Sequence, residues 1–94
     1  MRVTVYTVIS EIPIGICTAK IEGSYSNINS AVRRVRKLVR DELKFLYANT
    51  NTKNGIYKST NISTSDEDRI VCVYDNRTGK TAVIYTIWEH KVNF

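Results

Sequence analysis

One proline, one histidine, one tryptophan, two cysteines, four glycines and three leucines are all that 94 residues contain of these types. Each scarcity closes off a class of protein. A single proline leaves no proline-rich linker, and the scattered glycines (Gly15, Gly23, Gly55, Gly79) build no phosphate-cradling loop. His90 has no spacing partner that suggests a catalytic triad. With Cys17 and Cys72 far apart, it also completes no zinc-ligand pattern. No apolar run approaches the roughly 18–20 residues of a membrane span. The opening Met1-Arg2-Val3-Thr4-Val5-Tyr6 alternates at once and lacks the long apolar stretch of a signal peptide. The expected compartment is the cytoplasm, or the host cytoplasm if the chain is viral.

The two cysteines fit that compartment. Each lies within an apolar alternating segment and reads as a small buried hydrophobe kept reduced. A disulfide between neighbouring strands is the alternative. The sequons at Asn61 and Asn76 carry no meaning without a secretory signal. No cofactor and no metal ion are implied, and the expectation is a protein that is not an enzyme.

What is present is β-forming and basic. The length allows one domain, spanning residues 1–94. Ile and Val together number 21, with ten Thr and six Tyr, a composition suited to pleated, half-buried surfaces. Ile, Asn, Lys and Tyr make up 32 of the 94 residues, and all four use A/T-rich codons. Small single-domain proteins written this way are often viral or phage accessory proteins.

The hydrophobic period divides the chain. Arg2 to Ile9 alternates and predicts a strand, interrupted at Ser10-Glu11-Ile12-Pro13. Ile14 to Glu22 predicts a second, ending at Gly23 and paired with the first as an antiparallel hairpin. Ile28, Val32, Val35, Val39, Leu43 and Leu46 then recur at steps of three and four, within an arc of about 80° on a helical wheel. That spacing predicts a helix from about Ser30 to Tyr47, with Asn27, Asn29 and Ser30 as candidate N-caps. Ala48 to Asp68 is polar, and a short strand near residues 56–60 would break its length. Arg69–Tyr74 and Thr81–Glu89 predict two closing strands, joined by a turn at Asp75–Lys80. The expected fold is α+β: a small antiparallel sheet in ββαββ order, packed on one long amphipathic helix. Both faces of that sheet are apolar, so one helix cannot cover it; the second cover is a symmetry mate, a partner or the long polar loop, and a homodimer is expected.

The helix carries the charge. Arg33, Arg34, Arg36, Lys37, Arg40 and Lys44 against Asp41 and Glu42 give it a net +4 of the chain's +5. Arg33, Lys37, Arg40 and Lys44 form a stripe about 16 Å long beside the apolar face. A charge run is ordinarily a solvated face. Here four of the six cations occupy the first two turns, where the helix dipole disfavours them. The expected function is binding of a polyanion, most naturally nucleic acid, with Arg33, Arg36, Lys37, Arg40 and Lys44 on phosphates. The alternative is a phage- or virus-type accessory protein that inhibits or modulates a host protein, such as a defence system, by occluding its surface. An acidic protein surface would be attracted to the same residues.

Three smaller signals remain. Asp66-Glu67-Asp68 is a compact acidic cluster without calcium-loop spacing, and reads as a solvated loop. Gly55-Ile56-Tyr57 is similar to the first half of the GIY-YIG nuclease signature, but the second tripeptide and its catalytic surroundings are missing. Tyr6, Tyr74, Tyr85 and Trp88 lie on predicted strands, where aromatics pack in the core or, if exposed, stack unpaired bases.

Overall fold

The computed structural model describes residues 1–13, 18–50, 56–65 and 68–93. In chain order these form β1 (Arg2–Ile12), β2 (Thr18–Tyr25), α1 (Ile28–Thr50), β3 (Tyr57–Ser59), β4 (Ile70–Asp75) and β5 (Thr81–Asn93). The strands make one antiparallel sheet in the spatial order β2-β1-β5-β4-β3. The α+β class and, among the described residues, one long helix on the sheet match the sequence expectation. The ββαββ order does not. The sheet has five strands, because Tyr57–Ser59 pairs with Val73–Asp75 as an edge strand.

The helix begins earlier than its apolar spacing implies, at Ile28, because Asn27 caps it. The Asn27 side-chain oxygen accepts the Asn29 backbone N–H at 2.7 Å. It ends at Thr50, beyond Tyr47. β1 runs through Ser10 and Glu11 to Ile12, although alternation alone implies a stop at Ile9. Both residues are held from two sides, by β2 and by β5, and Pro13 marks the true end. β2 and β5 likewise extend past their expected ends, to Tyr25 and Asn93.

One face of the sheet holds the core. Val8, Val71, Val73, Val83, Tyr85 and Ile87 meet Ala31, Val32, Val35 and Val39 of the helix, with Ile62 from the polar tract completing the cluster. Val8, Val35, Val71 and Val73 are fully enclosed, each worth about 1.5–3 kcal/mol relative to exposure. Space is tight at the β2 end as well. A Cβ at Gly23, opposite Val8, would lie 2.7 Å from the Tyr25 hydroxyl.

The other face has no such cover among the described residues. Ile9, Ile21, Ile70, Cys72, Ile84, Thr86 and Trp88 lie on it by register. At one end only β1 and β5 continue, Arg2–Val5 against His90–Asn93, as a two-stranded ribbon beyond the reach of β2 and β4. Opposite it, β4 turns into β5 through Gly79, whose φ of 75° is left-handed. No helix among the described residues is long and apolar enough to cross a membrane.

Candidate nucleic-acid interface

The apolar arc of α1 faces the sheet, which directs its two flanks to opposite sides. One flank meets β2. There Arg34 faces Glu22 at 3.8 Å, and Glu22 is further held by Lys20 at 3.6 Å and by the Ser10 hydroxyl at 3.0 Å. Glu22 can turn toward the helix because a β-bulge between Val8 and Ile9 leaves it without a register partner on β1. The charges on this flank are spent on one another.

The other flank faces β3 and the segment that follows it. Tyr47 donates its hydroxyl proton to the Tyr57 carbonyl at 3.0 Å, and the two rings meet edge to face at 5.6 Å. Farther back along the helix, Arg36 donates to the Ile62 carbonyl at 3.3 Å. An open groove of about 660 Å³ lies between the helix and the segment, with the Arg36–Ile62 tie in its lining. Arg33, Arg36 and Arg40 rim it on the helix side, and Ser59, Thr60 and Asn61 on the other. Its floor is apolar, made by Val39, Leu43, Ile62 and Val71.

All five expected binding residues are exposed on this flank. The groove gathers Arg33, Arg36 and Arg40. Lys37 and Lys44 lie outside its lining, farther round toward solvent. None of the five pairs with a carboxylate among the described residues. Cations elsewhere do: Arg69 meets Glu89 at 3.0 Å, and Arg77 meets Asp75 at 3.0 Å. The Arg77 guanidinium holds the Asp75 carboxyl below its usual range, and Asp75 in turn raises Arg77. Three guanidiniums without carboxylate partners, beside two hydroxyls and an amide, make a set of donors suited to phosphate oxygens.

Sequence reasoning does not find the opposite wall of this groove. The tract holding Ser59, Thr60, Asn61 and Ile62 predicts a short strand near residues 56–60, found as β3 at Tyr57–Ser59, but nothing in its spacing sets it against the helix.

The remaining candidates fall elsewhere. Gly55 lies outside the described residues. Tyr57 is used structurally against Tyr47. Asp66 and Glu67 also lie outside them, while Asp68 accepts a hydrogen bond from the Ser63 hydroxyl at 3.0 Å. Among the described residues no three His, Cys, Asp or Glu side chains come together as metal ligands. Cys72 is half-buried on the uncovered face, and its relation to Cys17 lies outside the described residues. Tyr6 and Tyr85 turn to the helix side, Tyr6 beneath the Arg69 guanidinium at 5.7 Å. Tyr74 is half-buried and pairs in register with Lys58. Trp88, 62% exposed, is on the face away from the helix.

Compared with known proteins, the chain matches no family model, no curated protein and no solved structure.

Proposed function

We propose that this chain is a non-enzymatic binding module of the cytoplasm that holds a polyanion, nucleic acid, along the outer flank of α1. Arg33, Arg36 and Arg40 contact phosphates at the groove, and Lys37 and Lys44 extend the path along the helix. The observation that carries this reading is the contrast between the two flanks. Arg34 is matched by a carboxylate, while the five cations on the other side meet no carboxylate among the described residues, Arg36 donating instead to the Ile62 carbonyl. Unmatched like charges in one stripe repel each other, and a polyanion relieves that repulsion while releasing its counterions.

Gel retardation of single-stranded and duplex DNA and RNA at low salt tests the reading. Wild-type protein should retard at least one of them, and Lys37→Glu with Arg40→Glu should abolish the shift. Both side chains are exposed, so the pair should change stability by only about 0.5 kcal/mol per site. Absence of any retardation by the wild-type protein ends the nucleic-acid reading.

A second reading is favoured by β3. It is a sheet edge beside the groove, so an extended acidic segment of a host protein could pair with it and place carboxylates on the arginines. This is how a phage- or virus-type accessory protein would occlude a target. A pull-down treated with nuclease separates the two, since a protein partner survives the treatment.

A further inference from the structure

The sheet face away from α1 carries large apolar side chains, with Thr7 and Thr86 between them, and is unusually open. Ile21 is 68% exposed, Trp88 62% and Ile70 59%, and they span three strands of one surface. Ile9, Ile84 and Cys72 lie among them by register. The same face continues onto the ribbon as Val3, Val5 and Val92. We propose that a second copy of this chain docks here, giving a two-fold dimer with two sheets face to face and a helix on each outer side.

Three observations select that occupant. The first is charge. Across β2, β1, β5 and β4 no Lys or Arg falls on this face by register, Glu11 stands on it beside Ile84 and Ala19, and Lys58 stands only at its β3 edge. Two copies of net charge +5 can therefore meet there without opposing cations at the centre. The same centre lacks the cations that would draw a nucleic acid to it. The second is the loop. The described part of the tract between α1 and β4 packs on the helix side, with Ile62 in the core and Arg36 bound to its carbonyl. It is therefore directed away from the open face.

The third is area. At about 3.3 Å per residue and 4.8 Å per strand, four strands of about seven residues present roughly 450 Å², and the ribbon adds roughly 150 Å². That projected area is on the scale of the about 800 Å² of accessible surface each partner gives to a standard interface. The ribbon alone is a two-stranded element, marginal in water unless something packs on it.

Trp88 is the only tryptophan and reports on the contact directly. Sedimentation equilibrium and tryptophan emission should be followed together from nanomolar to high micromolar protein. The expected result is a mass rising from 10.8 kDa to twice that value, with emission moving to shorter wavelength over the same range. Ile21→Lys and Ile70→Lys change exposed positions, so each should retain the wild-type circular dichroism. Each should weaken association by about 30-fold or more, as loss of an interface hot spot does. A chain that stays at 10.8 kDa with unshifted emission overturns the proposal. So does a dimer that both folded variants leave intact. Neither outcome bears on the basic flank, which lies on the opposite side of the molecule.

Discussion

The Thr7 hydroxyl lies 3.0 Å from His90 Nε2 and 3.1 Å from the Ser24 hydroxyl, so one side chain on β1 ties together both neighbouring strands. A hydroxyl both donates and accepts, and here it serves the two partners at once. Thr7 is itself buried, although it sits on the uncovered face of the sheet.

Thr7→Val keeps the shape and the β-branching but removes both bonds. His90 and Ser24 are exposed and can turn to water, so the loss should be about 1 kcal/mol. A lower urea midpoint with an unchanged slope is the expected result.

Tyr85 makes one contribution to stability that depends on alkaline pH. Burial, and then the nearby charges of Glu42, Glu22 and Asp41, push its phenol up to about 12. The unfolded chain releases this proton near pH 10, while the folded chain keeps it. Its contribution to stability is therefore full below about pH 10 and is lost as pH rises from there toward 12, by roughly 1–2 kcal/mol after solvent screening of the three carboxylates. Tyr85→Phe also gives up the bond to the Leu38 carbonyl at 3.4 Å. It should be less stable at neutral pH and flatter above about pH 10. Urea midpoints for both proteins between about pH 8 and pH 11.5 check this.

Gly79 closes the turn into β5. Its N–H donates to the Asp75 carbonyl at 2.8 Å with a φ of 75°. Nothing crowds a side chain there, so the cost of Gly79→Ala is purely conformational, about 1 kcal/mol. Gly79→Asn should recover part of it, because asparagine tolerates the left-handed region. Thermal unfolding of the two variants gives the comparison.

Salt dependence counts the phosphate contacts. Three to five contacts on duplex DNA give a log–log slope of about −3 to −4.5, and Arg40→Glu should reduce its magnitude by about 1. Retardation titrations across a salt series supply the slope. A flat dependence would mean that the basic flank does not carry the binding.

Much of this arrangement is legible in the residues. The change of period at Ile28 locates the helix. Two-residue alternation separates Val71 and Val73 from Cys72, and Val83, Tyr85 and Ile87 from Ile84 and Trp88. Local stops are where it fails. Ser10 and Glu11 are poor strand residues by themselves, and pairing on two sides overrides that preference. The groove is legible only by half. Arg33, Arg36 and Arg40 announce themselves by spacing, but the opposite wall is brought there by β3, across some 20 residues that no periodicity connects to the helix.

The first and last strands of the sheet are neighbours, with Arg2 opposite Asn93 and Glu11 opposite Ile84. A chain emerging from the ribosome has β1, β2 and α1 long before it has β5. Until then the helix lacks Val83, Tyr85 and Ile87, and β4 has no strand to join it to β1. The sheet therefore closes only once β5 has been made, and its folding rate is set by contacts of long sequence separation. Until β5 joins, Val35 and Val39 of the helix and Val71 and Val73 of β4 lack the strand that completes their cover.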